Sequence, residues 1–373
     1  MGKREASRRD QALAVMNEAG LDGYLIENPV NVSYLTGFRG DDSLLWIGDA
    51  GFCLLSDTRF EEQIKEECPD VAALIRHSGQ TTRDLLKIAV SDVRFSSSRP
   101  RRIGFESATT TVAYLDSLRK NLPDVEFVGR FQDVERLRSI KDEDEIVAIR
   151  NAIDVSIDAY RDVRGWIGAD ANEVDLRDEL EYRMRKRGGD DVSFPSIIAF
   201  DERAALPHAI PTRGGRYGDA KMVLIDWGAK KDDYVGDLTR SFLTERGLSD
   251  LQTAYRKKFQ EVFKIVLEAH DKAIAAIKPG VPCCDIDKIA RDTIRDAGYG
   301  DYFGHGLGHG IGRVVHDFGG FSPSASSLIM KNMIVTVEPG IYLPGWGGIR
   351  IEDDVLVTET GSKVLSKRLS VDE

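Results

Sequence analysis

At 373 residues, with 42% apolar and 30% charged residues, the chain has the composition of a soluble globular protein and is too long for one ordinary core, so two domains are expected. Its net charge of −11 repels phosphate backbones, and its basic patches, Ser98 to Arg102 and Arg183 to Arg187, are short and isolated, which excludes nucleic acid as a partner. No run approaches the roughly 18 uninterrupted apolar residues of a membrane helix, and Met1 to Met16 holds no apolar signal-peptide core, so no membrane is expected and the location is cytoplasmic.

Up to about Val128, short apolar runs alternate with helical stretches. GYLIE, SLLWIG and FCLLS are followed by helix-like TRFEEQIKEE, then RIGFE, helix-like TTVAYLDSLRK, and VEFVG. This alternation predicts an α/β domain built on a sheet. The densely charged segment Val134 to Glu145 reads as a connection into a helix, which places the domains at residues 1–133 and 134–373. Cys53, Cys68, Cys283 and Cys284 form no CxxC and no disulfide framework, and are expected to be reduced bystanders.

From Glu143, Ile146, Ile149, Ile153, Ile157 and Tyr160 recur at intervals of three and four, the spacing of one helical face. Phe259, Val262, Val266, His270, Ile274 and Ile277 repeat that spacing up to a KPG stop at Lys278 to Gly280, so His270 is expected to pack rather than to react. SFPSIIAF, MVLIDWG, DYVGDLTRSFL, MIVTVEP and GIRIEDDVLVT read as strands.

Met222 to Phe242 reads as a hairpin with a polar turn around Lys231 and Asp232. A turn centred between those two residues pairs Asp226 with Asp237, and directly opposed like charges are destabilising. Two carboxylates so placed require a cation between them or a proton on one of them. A turn displaced by one residue would instead leave both aspartates on a solvent edge. Glu338 emerges where its strand stops at Pro339, and alternation puts Arg350, Glu352 and Asp354 on one face of GIRIEDDVLV.

Three of the six histidines, His305, His309 and His316, lie in the stretch FGHGLGHGIGRVVHD, interleaved with Gly304, Gly306, Gly308, Gly310 and Gly312. Histidine is the commonest metal ligand and proton carrier near neutral pH. The alternating glycines disfavour a helix and permit close backbone approach. The spacing matches neither HExxH nor a phosphate-cradling GxGxxG or GxxxxGK[ST] loop.

Taken together, LIDWG with DLTR, HGLGHGIG with VHD, VEPGIY and GIRIEDD, in that order, resemble the pita-bread metallopeptidases, among them Xaa-Pro aminopeptidase and Xaa-Pro dipeptidase (prolidase). NVSYLTGF and DTRFEEQ extend the resemblance to the Xaa-Pro branch and to nearly the whole chain. It implies an α+β chain in which an N-terminal creatinase-like α/β domain precedes a pita-bread catalytic domain. The implied site is dinuclear, with Asp226, Asp237, His309, Glu338 and Glu352 as ligands, Arg350 supporting the ligand carboxylates, and His208, His305 and His316 around the substrate. Glu338 would also handle a proton, and His208 and His316 would assist the tetrahedral intermediate or the leaving amine.

Four carboxylates and one imidazole suit two divalent ions, with manganese expected first and cobalt, zinc or iron admitted by the same donors. The implied reaction is hydrolysis of the Xaa-Pro bond at peptide N-termini, by a homodimer. A dipeptidase is the alternative within the enzyme class. A non-catalytic pita-bread module that binds protein partners is a more distant one, and the intact ligand set argues against it.

Overall fold

The computed structural model describes residues 2–249 and 254–371. The chain divides into two compact units, residues 1–138 and 139–373.

The first unit contains helices α1 (Gly2–Glu18), α2 (Pro29–Thr36), α3 (Glu61–Glu67), α4 (Thr82–Ala89), α5 (Val112–Asn121) and α6 (Asp133–Ser139). Its strands are β1 (Gly23–Ile26), β2 (Leu44–Gly48), β3 (Phe52–Asp57), β4 (Ala72–Arg76), β5 (Arg102–Glu106) and β6 (Glu126–Arg130). They form one sheet in the order β4-β3-β2-β1-β5-β6. Parallel pairs at each side flank the antiparallel β1–β2–β3 meander. β4 was not expected from the sequence, because Ala72 to Arg76 is flanked by charge and only partly buried. Local chemistry sets the helix ends: Asn28 caps α2 by accepting from Val30 N at 3.0 Å, and Gly37, at φ 81°, closes it.

The second unit opens with α7 (Glu143–Trp166), whose start is fixed by a capping box in which Asp142 accepts from Glu145 N at 2.8 Å and Glu145 accepts from Asp142 N at 2.9 Å. Ile146, Ile149, Ile153, Ile157 and Tyr160 are all buried on its inner face, as the spacing predicts. Then come α8 (Glu173–Lys186), β7 (Asp191–Val192), β8 (Ile197–Phe200), β9 (Met222–Trp227), β10 (Ala229–Lys231), β11 (Tyr234–Val235), β12 (Leu238–Leu243), α9 (Glu245–Ser249), α10 (Ala254–Ala276) and α11 (Cys283–Asp296). The chain finishes with β13 (Gly308–Gly310), β14 (Asp317–Phe321), β15 (Ile334–Val337), β16 (Gly340–Leu343), β17 (Gly347–Arg350), β18 (Asp353–Val357) and β19 (Ser362–Val364).

The strands of this unit pair antiparallel in four short sheets, ordered β11-β10-β7, β12-β9-β8, β14-β13-β15-β18-β19 and β16-β17. Helices cover them on both sides. Along β9, Met222 and Leu224 join the core of α10 and α11, while Val223, Ile225 and Trp227 join the core of α7 and α8. A strand buried on both faces reads as a continuous apolar run, which is why the polar residue near its end, Asp226, stands out.

Two expectations about these strands are corrected. The hairpin turn lies at Asp232 and Asp233, both with positive φ (51° and 66°), so Lys231 opposes Tyr234 and Asp226 opposes Thr239 rather than Asp237. Both central residues in the left-handed region make the turn that best matches strand twist, and this moves the register by two in the residue sum. GIRIEDDVLV is two strands in two sheets, β17 and β18, interrupted at Ile351 and Glu352.

Candidate metal centre

The corrected register does not separate the two aspartates. Asp237 falls in the break between β11 and β12, where its backbone N donates to Asp354 Oδ2 at 3.1 Å. His309 is the middle residue of β13, Glu338 follows β15, and Glu352 occupies the break between β17 and β18, bridged to Thr239. Five separate places along the chain, one of them within β13 and the rest near strand ends or breaks, therefore supply the five side chains. Donor atoms of Asp237, His309 and Glu352 lie within 4.8 Å of one another, and His309 Nε2 is 3.5 Å from both Asp237 Oδ2 and Glu338 Oε1. Asp226 is tied to Arg350 Nη2 at 2.5 Å, and Glu352 accepts from Thr239 Oγ1 at 2.6 Å.

The glycines explain how β13 fits. A Cβ on Gly308 would stand 2.0 Å from Thr336 O, and one on Gly310 would stand 2.2 Å from Phe318 O, so His309 is held between two neighbouring backbones that only glycine lets approach.

Hydrogen bonding separates the roles of the histidines. His309 Nδ1 faces Gly310 O at 3.2 Å. A carbonyl only accepts, so Nδ1 carries the proton and the Nε2 lone pair is directed at the carboxylates, as a metal ligand requires. His305 Nδ1 likewise donates to Gly306 O at 2.8 Å, but its Nε2 meets Tyr342 Oη at 2.8 Å, and Tyr342 Oη itself accepts from Arg350 Nη1 at 2.8 Å. The Tyr342 hydroxyl therefore donates to His305, whose second nitrogen is occupied. Burial holds both rings neutral, lowering each to about 4.

The carboxylates move the other way. Burial raises Asp226 despite the pull of Arg350, and raises Glu338 to about 8. It drives Glu352 and Asp237 well above the usual carboxylate range, with the neighbouring acids adding repulsion. Asp226 Oδ1 and Asp237 Oδ1 are buried without a hydrogen-bond partner among the described residues. Buried acceptors left unsatisfied and like charges packed together are both costly. Divalent cations relieve both, and the oxygen-rich donor set with one imidazole fits them.

The cluster opens on a cavity of about 1020 Å³ that is also lined by His208, His305 and His316. His208 and His316 are exposed to it, and the His316 ring stands edge-on to His309 with centroids 4.4 Å apart. His270, by contrast, is buried against Asp353 at 3.2 Å, a packing role as expected. Several supporting residues were missed in the sequence. Thr239, the second residue of β12, donates to Glu352, and its place two residues after Asp237 was there to be read. Tyr342 lay in a quoted motif but received no role. Asp287 and Arg291, one helical turn apart on α11, clamp the glycine-rich loop: Asp287 accepts from Leu307 N at 3.1 Å and Arg291 donates to His305 O at 2.8 Å. Nothing in their local sequence signals this.

Residues 147–359 match the family model of Metallopeptidase family M24, and residues 8–140 match that of the Creatinase/Prolidase N-terminal domain. Uncharacterized peptidase YqhT of Bacillus subtilis is 35% identical over 356 residues, covering 94% of this chain and 95% of the relative. Among solved structures, the chain is similar to an Xaa-Pro dipeptidase from Bacillus anthracis, with a TM-score of 0.88, 30% identity and 99% of each chain covered. It is also similar to an X-Pro aminopeptidase from Thermotoga maritima, with a TM-score of 0.80, 34% identity, and 93% of this chain and 96% of that one covered.

Proposed function

Because the chain belongs to metallopeptidase family M24, we propose that it hydrolyses the Xaa-Pro bond at peptide N-termini as an Xaa-Pro aminopeptidase. The observation that carries this reading is the set of Asp226, Asp237, His309, Glu338 and Glu352 converging, with partnerless buried oxygens, at the base of a large cavity. These five residues would hold two divalent ions, manganese first among those to be tried. When bound, the ions would polarise the peptide carbonyl and acidify a water.

The chain's own residues supply the rest. Glu338, which lines the cavity beside the other ligands, would accept and return a proton there. His208 and His316 face the cavity, where imidazole N–H groups can meet the developing oxyanion or the leaving amine. The Arg350–Tyr342–His305 chain fixes Asp226 at one end and the cavity wall at the other. Proline at the second position is accepted where no hydrogen bond from its missing N–H is required. A homodimer in the cytoplasm belongs to the same proposal.

The likeness to an Xaa-Pro dipeptidase over 99% of the chain supports a second reading, in which the free carboxylate of a dipeptide is required. Turnover of Ala-Pro, Ala-Pro-Ala and Ala-Ala-Ala by protein reconstituted with manganese, cobalt, zinc or ferrous iron separates the two. Preference for the tripeptide with proline second supports the aminopeptidase, preference for Ala-Pro supports the dipeptidase, and cleavage of neither proline peptide with any ion overturns both.

A further inference from the structure

Lys141 stands just before the cap of α7 and is 2% exposed, an unusual burial for a lysine. Its Nζ lies 4.0 Å from Asp317 Oδ2, with the two side chains 1% and 0% exposed. Taking both charges out of water is costly, and two apolar residues of similar volume would hold a core as well, so stability alone does not account for the pair. Its surroundings point to position instead. Asp317 directly follows His316, and its Oδ1 accepts from Phe318 N at 2.8 Å. Lys141 N donates to Asn332 O at 2.9 Å, just ahead of the strand that leads to Glu338.

The segment from His309 to His316 rests on this pair. A Cβ on Gly312 would meet Asp317 Oδ2 at 2.6 Å and Lys141 Nζ at 3.1 Å. The same segment is strapped on one side by Val235 N donating to Gly312 O at 3.0 Å, two residues before Asp237. On the other side Ile311 N donates to Ile334 O at 3.1 Å, four residues before Glu338. Among the described residues no side chain hydrogen-bonds the His316 ring, so its aim is set by the backbone it leaves and by its contact with His309.

We infer that the buried Lys141–Asp317 ion pair positions the His309-to-His316 segment, and through it the imidazole that meets the substrate. Lys141 is thus a positioning residue, not a catalytic one. The inference rests on the proposed reading of His316.

Lys141→Met alone takes a cation away from a buried carboxylate and can fail to fold, so the working variant is Lys141→Met with Asp317→Asn, which is neutral on both sides. It is compared with Lys141→Arg and with the unmodified protein. In the double variant, amide hydrogen exchange across residues 310–317 is expected to rise about tenfold while that of residues 222–227 is unchanged. Metal content should stay at the unmodified level, and kcat on Ala-Pro-Ala should fall about tenfold or more with KM within about threefold, because a small displacement of a reacting group is costly. Lys141→Arg should recover most of both. Unchanged exchange and unchanged kcat in the double variant would overturn the inference. Failure of the unmodified protein to cleave any Xaa-Pro peptide would instead sink the functional reading, and the exchange measurement would still decide the positioning one.

Discussion

The crowding of carboxylates makes Asp237→Asn a variant whose effect should reverse sign with metal. Asp237 and Glu352 offer oxygens within 4.8 Å of each other, and unit charges at that separation repel by about 3 kcal/mol at an effective dielectric constant of about 20. In protein stripped with a chelator nothing offsets that repulsion, so the asparagine should stabilise. Its amide can also donate to His309 Nε2, which the carboxylate Oδ2 at 3.5 Å cannot. Taking about 3 kcal/mol as the scale, and about 2–4 °C per kcal/mol for a unit of this size, Tm of the stripped protein should rise by about 6–12 °C.

The gain should depend on pH. Asp237, Glu338 and Glu352 all have raised pKa values when folded, so the stripped native state holds more protons than the unfolded chain. Its stability is then full below the ordinary carboxylate range and falls as pH rises towards the raised values, about 8 for Glu338. The advantage of the variant should therefore be small near pH 5 and large near pH 8, as read by calorimetry across that range. In metal-loaded protein the same change removes a donor, so elemental analysis should show lost metal and peptide assays lost activity. A variant that lowers Tm of stripped protein at the alkaline end, or keeps full metal and activity, would refute the reasoning.

His316→Ala should keep both metals and near-normal Tm while kcat falls roughly a hundred- to thousandfold, as for loss of one donor aimed at developing charge; a lowered Tm with normal kcat would make the ring a packing residue. His305→Ala should also retain metal, because its Nε2 is engaged by Tyr342, with the change appearing in KM and substrate preference; elemental analysis showing metal loss would contradict the assignment. Gly308→Ala drives a methyl against Thr336 O and should cost about 1–3 kcal/mol or more, seen as a lower denaturation midpoint together with reduced metal content. In the first unit, Asp57 accepts from Arg59 and from Arg76 at 2.8 Å, and these partners hold it well below the usual carboxylate range. The stability it contributes should be present above about pH 4 and lost below it, and Asp57→Asn should flatten that acid limb of the Tm-against-pH curve.

Much of the centre was legible because several candidates carry a local signature: an acid closing an apolar run at Asp226 and Glu338, and histidines among alternating glycines around His309. Those signals are periodic, and periodicity survives in one dimension. The hairpin register did not, because one turn residue shifts every pairing behind it, and only the positive φ of Asp232 and Asp233 shows where the turn lies. Lys141, Asp287, Arg291 and Tyr342 reach the site through contacts spanning from 8 to well over 100 residues of sequence, as with Lys141 and Asp317 or Arg350 and Tyr342. The sequence by itself offered a pool of acids and histidines able to bind a cation, since residue type decides that much, and the choice of five among them came from the family resemblance. The tertiary structure decided that His309 rather than His305 keeps a ring lone pair for the carboxylate cluster, and which carboxylate oxygens lack partners among the described residues, because both depend on donors delivered by distant strands and on how completely water is excluded around them.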